Sequence, residues 1–306
     1  MSRIFEALQR SESERSGTPS APPALATELL QAVEREANAH IPTELAPSKF
    51  ADNDFTDSEF TERDFSHFPS VPVSLSPNGK LVCLTAQDSL GAEKFRFLAV
   101  RLRQLQQSRP LKKVLITSTI PEEGKSTVAA NLALILAKKK QHKVLLIEGD
   151  LRRPTLGKEF GVGKIPGLSE WLKGEPRPIA NIYRLEGPNL WFLPAGDPPE
   201  NPLELMQSGR LSELMKQLTD WFDWIIIDSP PVLPLADTSV WARLADGILL
   251  VTREGTTKKR LLQQGLQVLE PSKLLGAVLN SSSSTDHTNY YQRYGAGAAQ
   301  QKDIPR

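Results

Sequence analysis

Five short aliphatic runs recur along the chain after residue 81: KVLITS at 113–118, KVLLI at 143–147, WIIID at 224–228, GILLV at 247–251 and LLGAVL at 274–279. None presents a wet face, so each predicts a strand buried on both faces, the environment of a parallel sheet. Between the runs the apolar residues change to helical spacing: Val128, Leu132, Ile135 and Leu136, then Leu211, Leu214, Met215 and Leu218, then Leu262, Leu266 and Leu269. Strands that alternate with amphipathic helices pair in parallel through crossovers, and the helices cover the sheet. The expected fold is α/β, a mostly parallel sheet with helices on both faces.

Upstream the pattern is lost. Residues 1–80 are rich in Ser, Pro and Asp and hold only short apolar features, Ile4, Phe5 and Leu8, then Leu25, Leu29 and Val33. The acidic stretch FADNDFTDSEFTERDFSHF repeats Phe50, Phe55, Phe60 and Phe65 every five residues, a spacing that fits neither helix nor strand. With few aliphatic groups to offset the entropy of ordering, it predicts a disordered acidic linker, although phenylalanines among acids would also suit pockets on a partner. Of the 306 residues 24% are charged and the net charge is +1, which removes the electrostatic argument for nucleic acid as a partner. One cysteine, Cys83, excludes an internal disulfide and fits a reducing compartment. No stretch approaches the roughly 18 apolar residues of a membrane span, and MSRIFEALQRSE lacks a signal peptide's apolar run, so a cytoplasmic protein is expected.

The first aliphatic run leads directly into TSTIPEEGKSTVAANLALILA, which places Gly124, Lys125, Ser126 and Thr127 between a buried strand and a helix. A helix amino end offers unpaired backbone N–H groups and partial positive charge, a ready site for phosphate oxygens. Lys125 would reach the β and γ phosphates and the Ser126 hydroxyl would bind Mg²⁺. The usual pattern G-x-x-x-x-G-K-[ST] has Thr119 in place of its first glycine, but Gly-Lys at Gly79, Gly157 and Gly163 lacks the following Ser or Thr. Glu148 and Asp150 close the second run, and Asp228 closes WIIID. Ligands of open α/β sheets bind beyond the strands' carboxyl ends, and an aspartate there can hold Mg²⁺ or its waters. One acid at a strand end is ordinary, since strands turn polar where they meet solvent; three acids sharing an edge with GKST point to a nucleotide site.

These residues resemble the bacterial tyrosine kinases of capsular and exopolysaccharide assembly, P-loop relatives of the ParA and MinD ATPases. The resemblance covers about residues 90–294 through TSTIPEEGKST, LLIEGDLRRP, LPAGDPPENPLELMQSGRLSELM, FDWIIIDSPPVLPLAD, DGILLVTREGTT, LGAVLN and NYYQRYG, and MSRIFEALQ is similar to the opening of soluble kinases of this kind. It implies a P-loop NTPase fold with ATP and Mg²⁺ as cofactors. Glu123, Gly124, Lys125, Ser126, Thr127, Arg152 and Asn280 would bind the nucleotide. Ser126, Asp150 and Asp228 would hold the metal, and Lys125, Glu148, Asp150 and Asp228 would form the catalytic group, with Asp150 or Glu148 orienting the phenol. Ile120 stands where ParA-type ATPases carry a signature lysine, which favours the kinase branch.

Three of the four tyrosines, Tyr290, Tyr291 and Tyr294, fall within five residues near the end. The resemblance makes them phosphoacceptors, modified in trans by a neighbouring copy. The implied function is an ATP-dependent tyrosine autokinase that regulates polysaccharide polymerisation and export; the alternative is a kinase-inactive ATP-binding switch or scaffold in the same machinery. Its partner would be a membrane polysaccharide co-polymerase, a chain-length adaptor on a separate chain, with self-association and a place at the inner membrane face through that partner. The expected organisation is an N-terminal helical or disordered interaction region over 1–80, a P-loop kinase domain over 81–280 and a flexible tail over 281–306. Three positions depart from the family: Glu148 replaces an aspartate, Glu122 a common glycine, and Ala99 the last arginine of an E-x-x-R-x-x-R oligomerisation pattern that begins at Glu93 and Arg96, with Arg101 and Arg103 as substitutes.

Overall fold

The computed structural model describes residues 65, 68–75, 79–174, 181–233 and 236–281. The chain divides between Asp64 and Phe65 into two units, and the second carries every described residue. Its elements run β1 (Ser70–Val71), α1 (Val82–Thr85), α2 (Leu90–Ser108), β2 (Lys113–Ser118), α3 (Lys125–Ala137), β3 (Val144–Glu148), α4 (Leu156–Phe160), α5 (Leu168–Lys173), β4 (Tyr183–Leu185), β5 (Leu190–Leu193), α6 (Pro202–Gln207), α7 (Arg210–Trp221), β6 (Trp224–Asp228), α8 (Asp237–Leu244), β7 (Gly247–Arg253), α9 (Lys259–Val268) and β8 (Leu274–Asn280). The strands form one sheet in the order β1-β4-β5-β3-β6-β2-β7-β8. Every neighbouring pair is parallel except β4 and β5, which lie antiparallel.

Period-2 alternation divides each central strand between two cores. Val114 and Ile116, Val144 and Leu146, and Trp224 and Ile226 face α1 to α4, whereas Leu115, Leu145 and Ile147, and Ile225 and Ile227 face α5 to α9. Continuous apolar runs are what such two-sided burial requires. The same expectation fails at LLGAVL, because β8 is the sheet edge and leaves Ala277 and Leu279 exposed.

Helix α3 is buried on nearly all sides, with the sheet beneath it and α2 against it. Its Asn131 is satisfied locally: Nδ2 donates to the carbonyls of Thr127 and Lys80, and Oδ1 accepts from Cys83 N. Helix α2, capped by Ser89, turns Ala92, Ala99 and Leu102 inward. Ala99, where the family pattern has its last arginine, is fully buried, so the residue stands where a guanidinium has no room.

The packed unit begins upstream of residue 81. Phe65 makes edge contacts with Trp191, Phe222 and Phe68 at 5.2–5.5 Å, and the Lys143 ammonium lies 4.0 Å over its ring. The last phenylalanine of the five-residue series is thus half-buried and packed against the core, not part of a linker. Phe50, Phe55 and Phe60 fall outside the described residues, as do the early apolar features and Tyr290, Tyr291 and Tyr294.

Candidate active site

The loop after β2 turns back onto α3 through two left-handed residues, Glu122 at φ 67° and Gly124 at φ 89°. Gly124 is required by its conformation and by space, since a Cβ there would lie 2.1 Å from Asn280 Nδ2. Thr119, at the missing first glycine, needs no such freedom: among the described residues only Glu122 and Ser281 have a positive φ without being glycine, and the Thr119 side chain packs on Gly265 of α9. Glu123 is fully buried and shapes this loop from behind. Its Oε2 accepts from Ile120 N at 3.0 Å, its Oε1 accepts from the Thr257 hydroxyl, and its carbonyl accepts from Asn280 Nδ2 at 3.0 Å. Glu123 and Asn280, both expected beside the nucleotide, therefore engage each other rather than line the cleft.

The cleft holds about 750 Å³, and Gly124, Lys125, Ser126, Thr127, Asp150 and Arg152 are in its wall. Lys125 Nζ lies 3.1 Å from Asp150 Oδ2 and 3.4 Å from Ser126 Oγ. Burial works to lower the Lys125 pKa, but the charges of Asp228 and Asp150 carry it above its ordinary value. Asp150 Oδ1 accepts from Arg153 N at 3.0 Å, which fixes its other oxygen toward Lys125.

Asp228 ends β6 in register with Ile116 of β2 and Glu148 of β3, so the sheet itself sets it behind the loop. It is 1% exposed and neither carboxylate oxygen has a hydrogen-bond partner among the described residues. Burial pushes its pKa up to about 7, with Lys125 and Ser126 pulling the other way. A buried carboxylate without a hydrogen bond of good geometry, offset only by the nearby Lys125 charge and Ser126 hydroxyl, is unfavourable on its own and suits a cation. Among the described residues no three His, Cys, Asp or Glu side chains form a cage; Mg²⁺ is commonly held by one or two carboxylates with waters and phosphate oxygens.

Glu148, expected beside Asp150 at the cleft, turns elsewhere. Its Oε1 accepts from Leu156 N at 2.5 Å and its Oε2 from Ala195 N at 3.2 Å, so the longer side chain fastens the start of α4 to the end of β5. Burial raises its pKa, opposed by those backbone N–H groups.

Two acids that the sequence did not single out belong to the site, Glu159 in the wall and the buried Asp237 behind it. Glu159 of α4 accepts from the Thr127 hydroxyl at 3.3 Å; its other oxygen has no hydrogen-bond partner among the described residues, and burial raises its pKa. Asp237 receives a two-point contact from Arg152, Nε at 2.6 Å and Nη2 at 3.1 Å. Asp237 does end the motif FDWIIIDSPPVLPLAD and could have been noticed as an acid opening a helix; Glu159 carries no periodic or motif signal.

No family model matches the chain. It is 35% identical over 212 residues to the tyrosine-protein kinase YwqD of Bacillus subtilis, covering 69% of this chain and 89% of that one. Among solved structures, the chimerical protein CapA2B2 is 29% identical with a TM-score of 0.64, covering 73% of this chain and all of that one. The kinase domain of the Escherichia coli tyrosine kinase ETK is 26% identical with a TM-score of 0.62, covering 72% and 94%. A P-loop on a mostly parallel sheet, acids at the adjoining strand ends and these similarities together show that the chain belongs to the bacterial tyrosine-protein kinase family.

Proposed function

We propose that the chain is a protein-tyrosine autokinase that binds ATP in the cleft and passes its γ-phosphoryl group to Tyr290, Tyr291 and Tyr294 of a neighbouring copy. The observation that carries this reading is the Lys125 ammonium at the amino end of α3, held by Asp150 beside the buried carboxylate of Asp228, whose oxygens accept no hydrogen bond of good geometry among the described residues. The backbone N–H groups at the start of α3 cradle phosphate oxygens, and Lys125 neutralises charge that spreads over the phosphoryl group in the transition state. Ser126 and Asp228 would hold Mg²⁺, with Asp150 beside them, and the ion would supply positive charge against the developing phosphoryl charge. Asp150, a cleft carboxylate beside Lys125, orients the phenol in this reading: the phenolic oxygen bonds to phosphorus, the bond to the β-phosphate oxygen breaks, ADP leaves and the phenolic proton passes to a base.

We further place the protein at the inner face of the membrane through a separate chain-length adaptor of a polysaccharide export system; among the described residues no helix is long and apolar enough to cross a membrane. Incubation of the full chain with ATP and Mg²⁺, with and without the adaptor's cytoplasmic tail, followed by mass spectrometry of residues 281–306, tests the reading. Phosphotyrosine that disappears in Lys125→Ala supports it; nucleotide binding with no phosphotyrosine under either condition replaces it with a binding switch.

A further inference from the structure

The carboxylate of Asp237 has no part in the roles assigned above. It opens α8, its side chain is 2% exposed, and among the described residues Arg152 alone holds it, through Nε and Nη2. Removing a carboxylate from water is unfavourable unless a well-aligned opposite charge replaces the hydration. A pair serving only to fasten α8 would be satisfied with both side chains sunk. Arg152 instead keeps 39% of its side chain exposed and stands in the cleft wall with Lys125.

A guanidinium carries five N–H donors in a rigid plane, and the two-point contact uses two of them. The other three are fixed in direction by the same contact. Helix α8 is itself anchored on both sides of the cleft floor: Thr238 Oγ1 donates to Pro230 O at 2.8 Å, in the loop beyond Asp228, and Trp241 Nε1 donates to Gly149 O at 3.1 Å, between Glu148 and Asp150. Asp237 and Trp241 lie four residues apart, on one helix face, and together hold the segment from Gly149 to Arg152.

We propose that Asp237 is a positioning residue for phosphoryl transfer, holding Arg152 so that its free N–H donors face the phosphoryl group in flight, an arginine supplied within the chain itself. This rests on the reading of the cleft as the ATP site. Charge on the phosphoryl oxygens shifts as the transition state forms, and a guanidinium already aimed there needs no reorganisation at that moment. A guanidinium free to swing still attracts bound ATP but no longer favours the transition state, so its release lowers kcat more than it raises the KM for ATP.

The test compares the full-length wild type with Asp237→Asn, Arg152→Lys and the double variant. Mg²⁺-ATP affinity is measured by calorimetry, tail phosphorylation against ATP concentration by mass spectrometry, and folding by thermal melting. Asp237→Asn is expected to lower kcat about tenfold or more with the KM for ATP changed less than about threefold. Arg152→Lys, which keeps the charge but loses the fork, is expected to do the same, and the double variant to be no slower than the slower single. A wild-type kcat in Asp237→Asn, with or without a lowered melting temperature, overturns the positioning role, as do fully additive losses in the double variant. Should Asp237→Asn fail to fold, an unchanged kcat in Arg152→Lys overturns it. A wild type that binds no Mg²⁺-ATP overturns the cleft reading and this inference with it; where the wild type binds and transfers, the kcat values of the variants alone decide the role of Asp237.

Discussion

Gly124 meets two demands at once, a left-handed backbone and the approach of Asn280 Nδ2, and either would exclude a side chain. Gly124→Ala is expected to destabilise the fold by about 1–3 kcal/mol and to weaken Mg²⁺-ATP binding at least about tenfold. Denaturant melts and calorimetry read the two effects, and Asn280→Ala in the same chain should relieve the clash while the backbone strain persists. Three acids, Asp228 and Glu148 buried and Glu159 half-buried, set a pH dependence. Asp228, raised to about 7, and Glu148 and Glu159, raised by burial, hold more protons folded than unfolded above the ordinary carboxylate range. Stability of the nucleotide-free protein is therefore expected to fall as pH rises from about 4 toward about 7, the sign opposite to that of a salt-bridged carboxylate. Melting temperatures across that window check it, and the slope should shrink in Asp228→Asn. Mg²⁺ affinity should move the other way, strengthening as Asp228 ionises. GKST and the three strand-end acids were legible as residue types at the right places. The direction of Glu148 was not: whether a carboxylate faces a cleft or a row of amides depends on the start of α4 and the end of β5, which no spacing rule relates to it.

Helix α2 shows why some elements escape a reading by periodicity. Its inward face is built partly from Ala92 and Ala99, small residues that let it close on α3 but give almost no hydrophobic period, and an exposed Phe97 beneath Arg101 adds apolar weight to the wrong face. Two of the five expected strands, 113–118 and 224–228, match β2 and β6 end to end, because they are central and buried on both sides. The short β1, β4 and β5 carry too few residues for a pattern to emerge. The packing of α2 makes a prediction against the family pattern. Ala99→Arg, which restores the sequence E-x-x-R-x-x-R, would force a guanidinium into a fully buried position beside α3. It is expected to destabilise the protein by about 3 kcal/mol or more, read from chemical denaturation, without creating an assembly by size-exclusion chromatography.

Across the whole molecule, a single buried thiol reports on integrity. Cys83 is fully buried and burial pushes its pKa up to about 12, while its backbone N–H is tied to Asn131 at the middle of α3. A thiol reagent at neutral pH is expected to label it only as fast as this region opens, and Mg²⁺-ATP should slow that labelling in proportion to its binding. Stopped-flow or mass-spectrometric labelling checks this; rapid labelling of the folded protein would contradict the packing of α1 on α3. The sequence by itself determined the layered α/β architecture and the phosphate loop, because both are written in short-range order: continuous apolar runs that only two-sided burial accepts, and glycine, lysine and hydroxyl residues at adjacent positions. The tertiary structure alone decided how the site is held. Arg152 meets Asp237 across 85 residues, Asn280 meets Glu123 across 157, and Glu148 finds Ala195 across 47. Such contacts follow from which strand lies beside which and where each helix lands, and neither is encoded in the spacing of neighbouring residues.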